Sequence, residues 1–430
     1  FILLSAGCAI GIGNVWKFPY ICGAYGGAAF ILIYLCFLVI LGIPVLVAEF
    51  AVGRGSHTSV AKCFDKLAPA GSCWKPLKFI GIIGCYMLMM FYTTVGGWML
   101  YYCVKSLRGD FVGATPEAVT QSFSDMLGNA PTMMLWMVII CLIGFAVCFM
   151  GLQNGIEKIS KVMMSALLII MVILAVHSVM MEGAGEGIRF YLIPDFQKIK
   201  EAGVGNVVFA ALSQSFFTLS IGIGAMLIFG SYLDKSRSLT GEAVSITVLD
   251  TFVALTAGFI IIPACFSYNL DVGAGPSLLF VTLPTILQDI PLGRLFAIIL
   301  YLAMIFAGIS SLQNMFEAVA ESLLHKFPKL SRTAVLGIIC ALCLGAGLFM
   351  EPISKWGPWM DLVSIYIIPI GATLGAISWF YVMKKDELLD AVNTGSGKKH
   401  GALWYNAGRY IYVPMAVILC CVALFMNVAF

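Results

Sequence analysis

The sequence is poor in charge. Asp, Glu, Lys and Arg make up only 11% of its 430 residues, whereas a soluble globular domain carries about 25%. Hydrophobic residues make up 61% of the chain, and its mean hydropathy is +0.98. This composition excludes a soluble fold and predicts an all-α membrane protein in contact with the lipid bilayer. The formal net charge of +3 gives no indication of a nucleic-acid partner.

Several other patterns are missing. No His–Glu metal pair and no Ser/His arrangement lies within the apolar stretches, so an enzyme is the least expected class. The fourteen cysteines lie mostly in apolar segments, which favours core thiols over a disulfide framework; the pair Cys340 and Cys343 is interpreted in the same way. No cleavable signal peptide is visible. Because Phe1 already lies within an apolar segment, we expect the native chain to begin earlier.

Windows of about 20 apolar residues predict eleven transmembrane helices. They cover roughly 1–22, 27–51, 78–106, 132–151, 159–181, 205–232, 242–268, 291–324, 333–350, 357–383 and 406–430. The stretch 269–290 has prolines and little charge, and we expect a structured loop with short helices there. Alternate loops differ in basic content, with sixteen Lys and Arg on one side and four on the other. The positive-inside rule therefore places the start of the first span on the cytoplasmic side.

The first apolar stretch contains a signal for a helix break. Gly11 and Gly13 flank Ile12, and Asn14 follows at once; each glycine lowers helix stability by about 1 kcal/mol relative to alanine. Lipid cannot satisfy the backbone groups that a break frees. Free carbonyls suit a cation, and free N–H groups at a half-helix start suit a carboxylate. Alternatively, Gly7 and Gly11 form a GxxxG pattern that lets a neighbouring helix approach, and this stretch alone does not decide.

A second copy of the pattern favours the binding interpretation. The segment 220–225 repeats the pattern of 9–14, and interrupted apolar segments at corresponding places in two halves indicate a transporter binding site. The two breaks fall in spans one and six, which cross the membrane in opposite directions. We therefore expect one transporter domain, 1–430. Its inverted repeat of five helices each covers about 1–181 and 205–383, helices 1 and 6 are discontinuous, and an extra helix lies at about 406–430.

Charged residues at membrane depth are costly and usually functional. Within or beside the predicted spans they are Lys17, Glu49, Arg54, Asp250, Glu317, Glu321 and Asp361. We expect Glu49 and Glu317 to accept hydrogen bonds from N–H groups that the breaks free. Arg54 and Glu321 are interpreted as interfacial charges. Asp250 has no comparable explanation, because its span offers no neighbouring base.

Hydroxyl groups cluster near the breaks. Thr218 and Ser220 precede the second break, Gln214 lies one turn before Thr218, and Ser310 and Ser311 are adjacent in span eight. Hydroxyl and carbonyl oxygens are suitable ligands for Na⁺, by analogy with other hard cations. A serine pair in a membrane helix more often bonds its own backbone, so both interpretations stay open from the residues alone.

Four motifs give the chain a resemblance to the neurotransmitter:sodium symporter family, in its bacterial amino-acid transporter branch. They are GIGNVWKFP at 11–19, EFAVGR at 49–54, SFFTLSIGIG at 215–224 and AGISS at 307–311. The resemblance implies the inverted five-helix repeat and the coupling of Na⁺ entry to uptake of an amino acid or amine. It also implies two sodium sites. The first would use the Ala9 carbonyl and the side chains of Asn14, Thr218 and Asp250; the second would use the carbonyls of Gly7, Ile10 and Ala307 and the hydroxyls of Ser310 and Ser311.

The resemblance further implies a substrate site and its gates. The substrate would lie against Ala9, Ile12, Gly13 and the Tyr92 hydroxyl, with its side chain among Leu88, Phe217, Ser220, Ile223, Ser311 and Met315. Tyr92 and Phe217 would form an aromatic lid, and Lys17 and Asp361 an outer charged gate, in which lysine replaces the commoner arginine and loses its bidentate geometry. Glu49, Glu317, Gln214 and Tyr34 would support the site.

The expected function is sodium-coupled uptake of a neutral hydrophobic or aromatic amino acid by alternating access across the cell (inner) membrane. Every residue implied to contact the substrate's side chain is apolar or carries a small hydroxyl, so a charge on that side chain would be left unpaired. The resemblance places the halide of chloride-dependent members among Tyr34, Gln214, Thr218, Asp250 and Ala254. Chloride is not expected as a cofactor here, because Asp250 stands where the family usually has a neutral amide and Ala254 cannot donate a hydrogen bond. If Asp250 titrates, proton counter-transport would follow. The alternatives are a non-transporting sensor of the same fold and an ion channel, although channels usually need symmetric subunits around a pore.

Overall fold

A computed structural model describes residues 13–56, 77–150, 153–222, 224–397 and 399–426. Over these ranges the chain is helical and contains no strand. The α-helices are α1 (Phe18–Ala24), α2 (Ala28–Phe37), α3 (Ile43–Ser56), α4 (Leu77–Arg108), α5 (Pro116–Gly128), α6 (Ala130–Met150), α7 (Gln153–Met180), α8 (Ala184–Leu192), α9 (Phe196–Ala202), α10 (Val204–Thr218), α11 (Ala225–Tyr232), α12 (Leu239–Ser267), α13 (Leu283–Gln288), α14 (Gly293–Lys326), α15 (Arg332–Met350), α16 (Ile353–Asp361), α17 (Ile368–Ile377), α18 (Lys385–Asn393), α19 (Ala402–Ala407) and α20 (Val413–Met426). Short π-helical stretches lie at Gly13–Lys17, Leu38–Gly42, Leu278–Thr282, Leu362–Ile367, Ser378–Val382 and Gly408–Tyr412.

Within these described ranges, nine helical segments are long and apolar enough to cross a membrane. They are Ala28–Gly55, Ile82–Arg108, Ala130–Met150, Val162–Met180, Leu239–Ser267, Gly293–Lys326, Arg332–Met350, Ile353–Val382 and Ala402–Val422. Each coincides with one of the eleven predicted spans. The other two, 1–22 and 205–232, are those with a predicted break: the first lies largely outside the described residues, and the second is divided into α10 and α11. The total of eleven stays a prediction.

The chain leaves the helical conformation between α10 and α11, where two glycines predict a break. Ser220, Gly222 and Gly224 have φ values of 53°, 90° and 78°. This left-handed region is open to glycine and uncommon for other residues. At Gly222 a Cβ atom would also collide with the backbone of Ala372 at the middle of α17. The broken segment therefore packs backbone to backbone against α17.

The helices of the two halves of the chain pack closely against each other. Helix α14 packs along α4, α12 packs along α7, and α3 packs against α11. Helix α10 contacts α2, and α1 contacts α12. The contact of α3 with α11 and that of α1 with α12 are related in the way that an inverted repeat predicts. The first helix lies partly outside the described residues, so the repeat and its boundaries stay predictions.

The connections contain more helix than the sequence indicates. The stretch 269–290 forms a π-helical turn and α13, as expected, and Phe280 within it packs on Trp98, Tyr102 and Phe123. Helices α5, α8, α9 and α18 lie in stretches treated as loops from the sequence. Helix α5 is capped by the Thr115 hydroxyl, and such caps stabilise short polar helices.

Candidate sodium and substrate site

Asn14, Thr218 and Asp250 meet at the second break. The Asn14 amide nitrogen donates to Asp250 Oδ1 at 2.6 Å, and the Thr218 hydroxyl donates to Asp250 Oδ2 at 2.6 Å. The Asn14 nitrogen also lies 3.3 Å from the Thr218 oxygen and 3.2 Å from the main-chain oxygen of Asp250. Asn14 belongs to the π-helical turn before α1, Thr218 ends α10, and Asp250 lies mid-way along α12. Three segments far apart in sequence thus converge on one carboxylate.

This carboxylate is buried without a basic partner. Asp250 is 0% exposed, and none of the ion pairs in the described part of the chain involves it. Removing a carboxylate from water costs several kcal/mol unless a charge and hydrogen bonds offset the loss. Two neutral donors occupy only part of its acceptor capacity. The geometry therefore suits a cation bound beside Asp250.

Asn14 is oriented so that its nitrogen faces the carboxylate. An amide has two N–H donors and one acceptor oxygen, so Oδ1 of Asn14 points away from Asp250. The nitrogen thus holds the carboxylate in place. Five predicted site residues, Gly7, Ala9, Ile10, Ile12 and Ile223, lie outside the described residues.

The side chains predicted for the second sodium site lie together on α14. Ala307, Ser310 and Ser311 are all buried. The Ser310 hydroxyl donates to the Phe306 carbonyl of its own helix at 3.0 Å, which is the usual behaviour of serine in a membrane helix. The Ser311 hydroxyl has no hydrogen-bond partner among the described residues. The role of this group as a sodium site stays a prediction.

The predicted aromatic lid lies directly on the first break. A Cβ atom at Gly13 would approach Phe217 Cε1 to 2.6 Å, so the ring covers the glycine. The Lys17 amine lies 3.8 Å from the centroid of the same ring, within the range of a cation–π contact. Lys17 also interacts electrostatically with Asp361. The structure thus stacks Gly13, Phe217 and Lys17 in that order, a contact that the sequence does not indicate.

The other residues of the predicted substrate site are mostly buried. Leu88, Tyr92 and Met315 are each less than 8% exposed, and Ser220 has the left-handed conformation described above. Leu88 and Tyr92 lie one turn apart on α4, and Met315 lies on α14, which packs along it. These contacts give the site an apolar wall.

The predicted support residues fall into two groups. Glu49 is 2% exposed and accepts a hydrogen bond from the Gly222 N–H at 2.9 Å, the kind of contact expected for a broken helix. Glu317 forms an ion pair with the Arg332 guanidinium, and its contact with a broken segment stays a prediction.

Tyr34 and Gln214 are the two support residues predicted near Asp250. Tyr34 is fully buried and interacts electrostatically with Asp250. Gln214 lies one turn before Thr218 and is buried, and its amide nitrogen and oxygen have no hydrogen-bond partner among the described residues. Ala254, one turn beyond Asp250, is also buried. These are the positions that the sequence resemblance places around a halide.

Arg54 is more buried than the sequence predicts. Arg54, interpreted as an interfacial charge, is 3% exposed and donates hydrogen bonds to main-chain carbonyls of two other segments. Nothing in the residue types of those segments signals the contact, because the acceptors are backbone atoms.

The chain is similar to known proteins over almost its whole length. Residues 1–115 and 117–429 match the profile of the sodium:neurotransmitter symporter family. The chain is 35% identical over 436 residues to an uncharacterised sodium-dependent transporter, YhdH, of Bacillus subtilis, covering 97% of this chain and 94% of that protein. It is 32% identical to an uncharacterised sodium-dependent transporter, MJ1319, of Methanocaldococcus jannaschii, covering 95% and 86%. Its fold is similar to the crystal structure of MhsT in complex with L-phenylalanine, with a TM-score of 0.91, 31% identity and 98% coverage of each chain.

Proposed function

The chain belongs to the sodium:neurotransmitter symporter family, and from this premise we propose that it takes up a neutral hydrophobic or aromatic amino acid together with sodium. In this proposal Asn14, Thr218 and Asp250 bind the sodium ion that touches the substrate. The second sodium lies at Ala307, Ser310 and Ser311. The protein lies in the cell membrane with the start of its first span on the cytoplasmic side, as the distribution of basic residues favours.

One observation carries the proposal. Asp250 is fully buried, and its two oxygens accept hydrogen bonds only from neutral groups in the described part of the chain. A sodium ion would balance this charge, and carboxylate, hydroxyl and amide oxygens are the hard ligands that it prefers. The Ala9 carbonyl and the substrate carboxylate would complete the shell. Because sodium and substrate would then touch, each would raise the affinity for the other by the same factor.

The substrate class follows from the wall of the site. Leu88, Phe217 and Met315 offer no charge to a bound side chain, so arginine or glutamate would leave an unpaired charge at a cost of several kcal/mol. The similar MhsT structure contains L-phenylalanine, which supports a large neutral side chain here. Each positive charge carried inward gains about 2.3 kcal/mol per 100 mV of membrane potential, so uptake is the favoured direction.

Chloride is not required in this proposal. Asp250 supplies a permanent negative charge beside the first sodium, and Ala254 has no group that could donate to a halide. A halide about 5 Å from the carboxylate would be repelled by roughly 3 kcal/mol at an effective dielectric near 20. Tyr34 and Gln214 can still donate hydrogen bonds, but they do not offset this repulsion.

The proposal is tested by uptake into sealed proteoliposomes that contain the purified protein. We expect saturable uptake of leucine, methionine, phenylalanine or tryptophan that requires Na⁺ and persists when gluconate replaces chloride. Tight binding of arginine or glutamate, with those four amino acids inert, would contradict the substrate class. Loss of uptake in gluconate would contradict chloride independence. Sodium-dependent binding without any uptake would identify a sensor instead.

The sodium assignment has its own variant. Asn14→Ala removes a hydrogen bond to an ionised carboxylate, a contact worth about 1.5–3 kcal/mol. We expect the affinities for Na⁺ and for substrate to fall together, by roughly tenfold or more. Thr256→Ala is the matched control, because Thr256 lies on the same helix as Asp250 and its hydroxyl donates to the Phe252 carbonyl of that helix. Normal substrate binding with unchanged sodium dependence in Asn14→Ala would show that the site is misplaced.

A further inference from the structure

Arg54 joins three segments that are far apart in the sequence. It lies near the end of α3 and is 3% exposed. One guanidinium nitrogen donates to the Arg237 carbonyl at 2.7 Å and lies 3.5 Å from that of Asp234. The other donates to the carbonyls of Ala391 at 2.7 Å and Thr394 at 2.6 Å. The first pair of carbonyls belongs to the turn between α11 and α12, and the second pair to the end of α18.

The acceptors explain why the arginine is held there. The last carbonyls of a helix have no partner within that helix, and a cation near them is favourable. Arg54 therefore caps α18 from another helix. A guanidinium presents its donors in a fixed planar fork, which a lysine amine does not reproduce. Asp234 adds a charge: its pKa lies below the usual range, chiefly because the Ser236 N–H binds its carboxylate, with a further contribution from Arg54.

The same segments also touch backbone to backbone. Gly395, just after α18, has a φ of 73°, and a Cβ atom there would lie 2.6 Å from the Arg237 carbonyl oxygen. At the end of α3, a Cβ atom at Gly55 would lie 3.8 Å from the Cβ atom of Ala391 on α18. Leu388 on α18 is completely buried. The end of α3, the turn 233–238 and α18 thus form one packed unit, which we name the Arg54 clamp.

The clamp is connected to the broken segment. Glu49 holds the Gly222 N–H and lies on α3 little more than one turn before Arg54. Helix α11 begins at the break and ends at the turn that Arg54 binds. Helix α18 lies between the candidate spans Ile353–Val382 and Ala402–Val422. A displacement of the broken segment would therefore reach α18 through Arg54.

We propose that Arg54 is a positioning residue that makes α3, α11 and α18 move as one body when the transporter changes the side on which its site is open. The inference rests on the proposed function, since alternating access moves one group of helices against another around the site. In this proposal α18, which lies outside the site, belongs to the moving group. A clamp that opened during the cycle would instead leave α18 behind.

A disulfide across the clamp tests this directly. Gly55→Cys with Ala391→Cys places two Cβ atoms at a separation typical of disulfides, about 3.8 Å. After oxidation with copper phenanthroline, we expect uptake to stay within about twofold of the reduced protein. Loss of uptake on oxidation, restored by dithiothreitol, would show that the clamp must open and would overturn the proposal. The wild type and the two single variants, treated in the same way, control for native cysteines.

A second measurement does not depend on transport. The rate of disulfide formation in the double variant is compared in Na⁺ and in K⁺, without substrate. We expect the two rates to agree within about twofold, because the clamp persists in every state. A tenfold difference would overturn the proposal, whereas absence of uptake in the wild type would count against the proposed function alone.

The role of Arg54 itself is tested in the same double variant. Arg54→Lys keeps the charge but loses the planar fork, and we expect disulfide formation to slow at least fivefold and to differ between Na⁺ and K⁺. Arg237→Gln is the matched control, since its side chain is 53% exposed and lies on the same turn. Equal rates in all three proteins, measured on folded protein from gel filtration, would show that Arg54 does not hold the clamp.

Discussion

Two buried carboxylates meet the second broken segment by different means. Glu49 accepts a hydrogen bond from a main-chain N–H, that of Gly222, through one oxygen. Its other oxygen has no hydrogen-bond partner among the described residues. Asp250 accepts from two side chains, Asn14 and Thr218, through both oxygens. A single acceptor oxygen suffices for the contact of Glu49, whether or not the group carries a charge. Asp250 thus has a side-chain donor at each of its oxygens, as an ionised carboxylate could accept.

The two carboxylates thus serve different purposes: one satisfies the backbone, and the other offers a charge to an ion. A main-chain N–H that a break frees must be satisfied wherever it is buried, and Glu49 does this with an oxygen that an amide could replace. The charge of Asp250 has no such substitute, because neutral donors do not balance it. Glu49 therefore holds the backbone of the broken segment, and in the proposed function Asp250 binds the ion.

The largest expected effect comes from neutralising Asp250. In Asp250→Asn, measured in chloride-free gluconate medium, the site loses the charge that balances sodium, and one acceptor oxygen becomes a donor. We expect sodium-dependent uptake to fall by roughly a hundredfold, since a buried uncompensated charge costs several kcal/mol. Uptake close to that of the wild type would show that Asp250 and Glu49 play the same part.

A second change should partly restore this variant. Asp250→Asn combined with Ala254→Ser gives the site a neutral amide and a hydroxyl donor beside Tyr34 and Gln214. We expect uptake by the double variant to be stimulated by chloride, by about tenfold relative to gluconate. Asp250→Asn alone, under the same conditions, is the control for the hydroxyl. A double variant indifferent to chloride would contradict the role of Asp250 as a fixed anion.

The next effect concerns the stability of the protein and tests the role of Glu49. Glu49→Ala leaves the Gly222 N–H without its acceptor, at a cost of about 1–3 kcal/mol, whereas Glu49→Gln keeps an acceptor oxygen. We expect Glu49→Ala to unfold at a clearly lower temperature in detergent, and Glu49→Gln to retain stability and sodium affinity within about threefold. If Glu49→Gln lost sodium coupling as Asp250→Asn does, Glu49 would have to carry charge for the ion.

Much of the candidate site can be predicted from the sequence, for a physical reason. A charge stands out against an apolar background, which marks Glu49 and Asp250, and paired glycines mark the breaks that they serve. The convergence of Asn14, Thr218 and Asp250 follows from the symmetry of the two breaks and from the family resemblance. Functional side chains at membrane depth can thus be recognised from the sequence.

Contacts made to the backbone leave no such signal. The four carbonyls bound by Arg54 belong to segments about 180 and 340 positions away along the chain, and any residue type could supply them. The close approach of Gly222 to α17 is equally hard to predict, because it too is a contact between backbone atoms. The short helices between spans were missed because their charged faces resemble loops when only hydropathy is considered. The stack of Phe217 between Gly13 and Lys17 depends on the path of both breaks, which local patterns do not determine.

The smallest expected effect concerns Lys17, which interacts electrostatically with a third carboxylate, that of Asp361. The Lys17 amine contacts the Phe217 ring, and a contact of this kind is worth about 0.5–2 kcal/mol. Lys17→Met should therefore weaken substrate affinity by roughly two- to tenfold, because the ring over Gly13 is held less firmly. Lys17→Arg keeps the charge, stacks on the ring and can engage a carboxylate through two nitrogens. We expect Lys17→Arg to bind substrate as tightly as the wild type or up to about fivefold more tightly, and to leave the sodium dependence unchanged. Binding of radiolabelled substrate across a sodium titration measures both quantities. A shift in sodium dependence as large as that of Asn14→Ala would place Lys17 in the ion site rather than in the gate.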